Sequence, residues 1–114
     1  MTYKTEVLGL PIEAELKRMG QDWLVSIGGG CRVHIGSIST AQWTGERAEL
    51  TSTTLENHKD AVIGDFYALN LCKNLKSTVC VVCGIHYDRP GPEGISAIVN
   101  ASEAMLDEIL SAHK

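Results

Sequence analysis

The feature that most constrains this chain of 114 residues is a short apolar segment, residues 78–85, with the sequence TVCVVCGI. Its β-branched composition is typical of a strand, and it is far shorter than the roughly 20 apolar residues that span a bilayer. Because successive side chains of a strand point to opposite faces, apolar residues on both faces predict a covered strand. We therefore expect this segment to lie at the centre of a sheet.

Other segments alternate between apolar and polar residues, which predicts strands that are buried on one face. Residues 19–22 have turn composition and predict a hairpin, whereas the glycines at 28–30 are expected to break the strand before them. Apolar residues spaced three and four apart predict two helices, the first capped by Asn57 and the second beginning near Pro92. The strands are expected at residues 5–8, 12–18, 23–27, 32–40, 48–55 and 78–85, and the first helix at residues 57–74.

This order predicts one α+β domain over residues 1–114, with a mainly antiparallel sheet of about six strands and two helices, strands first. The net charge of −4 lacks the basic surface that nucleic acids require. The sequence shows neither a membrane span nor the apolar core of a secretory signal. We therefore expect a cytoplasmic protein whose partners include neither nucleic acid nor membrane.

Four cysteines are expected to stay reduced, since cytosolic thiols rarely pair. Cys80 and Cys83 have the spacing of redox and zinc motifs. However, residues three apart in a strand point to opposite faces, so one metal ion cannot bind both sulfurs. We interpret these two cysteines as structural.

Three consecutive glycines, Gly28, Gly29 and Gly30, are the first candidate binding feature. Glycine allows positive φ angles and the close approach of backbone N–H groups to a phosphate. A flexible hairpin loop is the alternative, because the segment lacks the remaining residues of a nucleotide-binding motif.

His34, Gly36 and Ser37 follow the glycines. If this segment is a strand, His34 and Gly36 share one face and leave room for a flat ligand over the backbone. A half-exposed histidine without a binding role is the alternative.

Two further candidates lie at the ends of predicted elements. His58 and Lys59 open the first helix, where free N–H groups and the helix dipole favour an anion, although both side chains could simply be solvated. His86 ends the predicted central strand, an edge where ligands commonly bind, or it could cap the following turn. His34, His58 and His86 match no local metal-binding signature, so any metal site must be assembled by the fold; His113 is expected to be a solvated end.

Taken in order, these motifs resemble a known family. Gly28-Gly-Gly, His34-Ile-Gly-Ser-Ile-Ser, His58-Lys-Asp and Val81-Val-Cys-Gly-Ile-His-Tyr-Asp are similar to the prenylated-flavin chaperone family, which includes the small accessory proteins of gallate decarboxylase. The fold of that family is similar to that of proteasome assembly chaperones. The resemblance covers residues 23–110.

The resemblance implies a homodimeric accessory protein that binds reduced prenylated FMN, or FMN, and assists its delivery or maturation for a UbiD-type decarboxylase, with a flavin prenyltransferase as a further partner. On this reading the metal-binding candidates for a divalent ion are His34, His58 and His86. The cofactor-binding candidates are Gly28, Gly29, Gly30, His34, Gly36, Ser37, His58, Lys59 and His86.

Two alternatives stay open at this point. The first is a protein assembly chaperone that binds no cofactor. The second is a small metal-dependent enzyme built on the three histidines. No nucleophile beside a base and an orienting acid is recognisable in the sequence, which favours an accessory binding protein over a self-sufficient enzyme.

Overall fold

The eight elements follow one another as five strands, a helix, a strand and a helix, as the sequence predicts. The computed structural model describes residues 1–55 and 58–113, with His58 described in its backbone alone. The predicted helix cap, Asn57, lies outside the described residues. The elements are β1 (Thr2–Val7), β2 (Leu10–Met19), β3 (Asp22–Gly30), β4 (Ser37–Trp43), β5 (Ala48–Thr54), α1 (His58–Leu75), β6 (Val79–His86) and α2 (Gly91–Ala112).

The strands form one six-stranded sheet in the order β1-β2-β3-β6-β4-β5. The apolar strand β6 lies inside the sheet, parallel to β3 and antiparallel to β4, and the remaining neighbours are antiparallel. The predicted hairpin joins β2 to β3 through a turn in which Gly20 has a φ of 66°. The expected α+β class and the central position of β6 are therefore confirmed.

Both helices pack on one face of the sheet. Alternating residues of β2 and β3, such as Ile12, Ala14, Val25 and Ile27, point into this core and are buried. Helix α1 approaches β4 closely at Gly64, where an added Cβ would lie 2.8 Å from the Ser39 hydroxyl oxygen. Among the described residues, no helix is both long and apolar enough to cross a membrane.

The expected strand break at the glycines is wrong. Gly28, Gly29 and Gly30 are the last three residues of β3 and pair with Gly84, Ile85 and His86 of β6. The reason is close packing: a Cβ at position 29 would lie 2.7 Å from the carbonyl oxygen of Pro11 in β2. Backbone pairing on both sides of Gly28 and Gly29 stabilises a stretch that propensity alone disfavours.

The predicted strand over residues 32–40 is wrong in its first half. Residues 31–36 form a loop, and β4 begins only at Ser37. His34 and Gly36 therefore do not share a sheet face. The loop crosses β6 at Gly84, and a side chain at that position would overlap the His34 carbonyl group.

The face of the sheet turned away from the helices, here called the open face, is less covered than expected. Cys83 is buried under the helices, whereas Cys80 and Val82 point to the open face and are half-buried. The two cysteines thus point to opposite faces, as predicted. His113 is not a solvated end, because its ring packs edge-on against Trp23 with ring centroids 5.4 Å apart.

Candidate functional site at the end of the central strand

The carboxyl end of β6 loses its neighbour β4 before the strand ends, since the pairing of β4 with β6 stops at Ser37 and Cys83. The backbone groups of Ile85 are bound instead by two consecutive side chains of α1. Lys59 Nζ donates to the Ile85 carbonyl oxygen at 2.7 Å, and Asp60 Oδ1 accepts from the Ile85 N–H at 3.0 Å. The first turn of α1 therefore takes the place of a neighbouring strand at this point.

Asp60 also contacts the loop of residues 31–36. Its Oδ2 lies 3.3 Å from His34 Nε2, and the two side chains are 0% and 8% exposed, respectively. The other ring nitrogen of His34 lies 3.4 Å from the Arg32 carbonyl oxygen. Gly36 lies against the carboxylate, where any Cβ would overlap Asp60 Oδ2. A buried charge is tolerated only when it is paired and hydrogen-bonded, which these contacts provide.

Ser37 is the first residue of β4 and faces α1 near Gly64. It is fully buried, and its hydroxyl has no hydrogen-bond partner among the described residues. The neighbouring Ser39 hydroxyl donates to Asp65 Oδ1 at 2.7 Å. The polar side chains of β4 therefore face the N-terminal half of α1.

A groove of about 510 Å³ opens between α1 and α2 at the end of β6. Small-molecule sites commonly measure about 300–1,000 Å³. His86 Nε2 lies 3.0 Å from Asp88 Oδ1 in an exposed pair at this groove. The walls of the groove are mostly apolar and include one cation, Lys59, a combination that suits an anionic ligand with a flat apolar body. The groove is lined by Lys59, Val62, His86, Tyr87, Pro90, Ile95 and Val99.

A second cavity of about 580 Å³ lies on the open face, beside the loop of residues 31–36. Two carboxylates, Glu13 and Glu15, line it together with one lysine, Lys4, which lies 3.4 Å from Glu13 Oε2. The balance of charge here is negative. This cavity is therefore poorly suited to a phosphate.

The structure divides the predicted cofactor residues between these two cavities. Lys59 and His86 line the groove, whereas the three glycines and His34 line the open-face cavity. Gly36 and Ser37 are buried and line neither cavity. The side chain of His58 lies outside the described residues. The ring of His34 nevertheless contacts Asp60, which follows Lys59 in the chain. His34, from the open-face loop, and Lys59, from α1, therefore both lie near the end of β6.

The prediction that the glycines offer free N–H groups to a phosphate is wrong for Gly28 and Gly29. Both lie inside the sheet, between β2 and β6, where strand pairing uses the backbone groups. The phosphate site predicted at the helix start is unaffected by this finding, because Lys59 lines the groove.

Two carboxylates in this region, Asp60 and Asp88, are not among the site residues that the sequence predicts. Each belongs to the motifs quoted above, Asp60 directly after Lys59 and Asp88 two residues after His86. A histidine at the end of a strand, followed two residues later by an aspartate, is the signal that could have indicated the pair of His86 and Asp88.

The described residues contain no group of three or more histidine, cysteine, aspartate or glutamate side chains placed to hold a metal ion. His34 and His86 contact different carboxylates, Asp60 and Asp88. Because His58 is described in its backbone alone, the metal site of three histidines stays a prediction.

Comparison with known proteins gives a consistent match over the whole described site. The profile of the prenylated flavin chaperone LpdD-like domain matches residues 6–114. Protein LpdD of Lactiplantibacillus plantarum is 28% identical over 112 residues, which cover 96% of this chain and 82% of that protein. The matched region includes the groove, the Asp60 contacts and the open-face loop. The resemblance in the motifs is therefore confirmed, and the chain belongs to the prenylated flavin chaperone LpdD-like family.

Proposed function

We propose that this protein is an accessory protein that binds reduced prenylated FMN in the groove at the end of β6. In this proposal it assists delivery or maturation of the cofactor for a UbiD-type decarboxylase. The observation that carries the proposal is the position of Lys59, a cation that lines a groove whose other walls are mostly apolar. Membership of the prenylated flavin chaperone family supports a role related to that cofactor.

The chemistry of the groove supports a flavin phosphate at Lys59. An ammonium group has three N–H donors, and the Ile85 carbonyl uses one of them. The remaining donors and the His86 ring can bind phosphate oxygens, while Val62, Ile95 and Val99 provide an apolar surface for a ring and a prenyl group.

We further propose that the protein is a homodimer that joins through the open face. Val33 and Ile35 extend from the loop beside this face and are 71% and 57% exposed. Burial of apolar surface stabilises association by roughly 25 cal/mol per Å² before the entropic penalty of binding.

We propose a cytoplasmic location, where the four free thiols would persist. The proposed partners are a UbiD-type decarboxylase and a flavin prenyltransferase.

The direct test is production of the protein together with a flavin prenyltransferase, followed by anaerobic purification and an absorbance spectrum recorded after reoxidation in air, because reduced flavins absorb little visible light. We expect flavin absorbance in a stoichiometric amount, lost in Lys59→Ala and retained in Lys73→Ala. Lys73 is an exposed lysine in the last turn of the same helix and serves as the matched control. Colourless wild-type protein, with the prenyltransferase active in the same cells, would contradict the proposal.

One alternative has a specific observation in its favour. The exposed apolar side chains beside the open face suit protein contacts, as an assembly chaperone without a cofactor would require. That alternative predicts a protein that binds no flavin yet still binds the decarboxylase. It also predicts that Lys59→Ala leaves decarboxylase assembly unchanged.

A further inference from the structure

Asp60 is the residue through which the two sides of the candidate site meet. Its carboxylate is fully buried and does not line the groove. One oxygen binds the N–H of Ile85, which precedes the groove residue His86. The other contacts His34, which belongs to the loop beside the open-face cavity.

We propose that Asp60 is the positioning residue of the flavin groove. By holding the end of β6 and the loop of residues 31–36 against the first turn of α1, it fixes the distance between Lys59 and His86, and thereby sets the affinity for the phosphate-bearing ligand. This inference rests on the proposed function, since it assigns the role of Asp60 at that same site.

The hydrogen bonds at Ile85 are the first support for a positioning role. Lys59 and Asp60 are neighbours in the chain, and they bind the carbonyl oxygen and the N–H of the same residue. If Asp60 no longer accepts from Ile85, the end of β6 is free to move away from α1. Such a movement displaces His86 directly and Lys59 through the carbonyl group to which it donates.

A carboxylate suits this position better than a neutral side chain. It accepts on both oxygens and also attracts an imidazole ring that can carry a positive charge. Asn at position 60 would keep one accepting oxygen but present N–H donors on its other side. Gly36 leaves the space that Asp60 Oδ2 requires, so Gly36→Ala perturbs the same carboxylate without changing a residue that lines the groove.

The chain offers a matched control in Asp65. This residue lies in the same helix, and its carboxylate also accepts a hydrogen bond from the sheet, at Ser39. Ile85 and His34 bind the carboxylate of Asp60, whereas Asp65 binds β4. A role limited to fixing α1 on the sheet would affect Asp60→Asn and Asp65→Asn in the same way.

The experiment measures FMN affinity by calorimetry for wild type, Asp60→Asn, Asp65→Asn and Gly36→Ala, at a temperature where circular dichroism shows each to be folded. We expect Asp60→Asn and Gly36→Ala to weaken FMN binding about tenfold or more, the loss of a charge-assisted contact, and Asp65→Asn to stay within about twofold. Equal affinities in all four proteins, or equal losses in both Asn variants, would overturn the positioning role.

A second measurement, made without ligand, separates this inference from the proposed function. Hydrogen exchange of the Ile85 and His86 amides should accelerate in Asp60→Ala, which removes the acceptor of the Ile85 N–H, and remain at the wild-type rate in Asp65→Ala. If wild type retains no prenylated flavin when it is produced with the flavin prenyltransferase, the proposed function fails, and the assignment of Asp60 to a flavin groove fails with it even if exchange accelerates. If Asp60→Asn does not fold, His34→Gln retains the bond to Ile85 and should still weaken FMN binding about threefold to tenfold; unchanged affinity there overturns the inference.

Discussion

The carbonyl group of His34 lies directly over Gly84, in the space that a side chain at position 84 would occupy. Gly84 is part of the central strand β6, and His34 is part of the loop that precedes β4. The absence of a side chain at position 84 therefore lets the loop cross the sheet and lets the His34 ring reach Asp60. This contact explains why a strand rich in valine contains a glycine near its end.

Gly84→Ala should destabilise the protein by about 1–3 kcal/mol, because the added methyl group forces the loop of residues 31–36 away from the sheet. The free energy of unfolding, measured by urea denaturation with circular dichroism, tests this prediction. Alanine has a higher strand propensity than glycine, so a variant as stable as wild type would show that the loop does not rest on Gly84.

Tyr67→Phe should lower the free energy of unfolding by about 1 kcal/mol, the usual net value of one hydrogen bond. The Tyr67 hydroxyl, which is buried, donates to the Ser102 carbonyl oxygen and thereby joins α1 to α2. Burial, followed by the charges of Cys83 and Asp107, raises the pKa of this phenol well above its usual value, so it remains a donor at neutral pH. Tyr3→Phe is the control, since the Tyr3 hydroxyl makes no hydrogen bond to another described residue. Equal effects of the two substitutions would contradict the role of the bond.

Three of the four thiols, those of Cys31, Cys72 and Cys83, should differ sharply in reactivity. Burial, reinforced by the Asp60 carboxylate, raises the pKa of the Cys83 thiol, and burial together with Asp22 raises the pKa of Cys72. Cys31 is exposed. Because the thiolate is the reactive form, iodoacetamide at pH 8 should modify Cys31 within minutes and leave Cys72 and Cys83 unmodified until the protein unfolds. Peptide mass spectrometry of the labelled protein measures this order, and early labelling of Cys83 would contradict the packing of β6 under α1.

The order of elements can be predicted from sequence because the alternation in β2 and the helical spacing in α1 are strong local patterns. The path of residues 28–36 cannot be predicted from sequence in this way. Glycines at 28–30 indicate a break by propensity, yet pairing with β6, and for Gly28 and Gly29 also with β2, keeps them in β3. The sequence marks His34 as a candidate, but its partner Asp60 is 26 residues away in the chain, and only the fold brings the two together.

Val33→Asp should convert the proposed homodimer to a monomer without loss of stability, because Val33 is exposed in the single chain. Sedimentation equilibrium at micromolar concentration tests this prediction. Wild type is expected at twice the 12.3 kDa mass of the chain, and Val33→Asp at that mass itself. Met19→Asp changes an exposed apolar residue in the β2–β3 turn region and should leave the dimer intact. A monomeric wild type would contradict the proposed assembly.

The most direct test of the central claim is the affinity of the protein for FMN compared with riboflavin, which lacks the phosphate, measured by calorimetry in wild type and in Lys59→Ala. The claim predicts that wild type prefers FMN by about 10- to 100-fold, the value of one charged hydrogen bond, and that Lys59→Ala reduces this preference by about tenfold or more. The comparison cancels any general loss of stability, since both ligands meet the same variant. A wild-type preference that persists in Lys59→Ala, or no preference in wild type, would show that the phosphate does not bind at the end of β6.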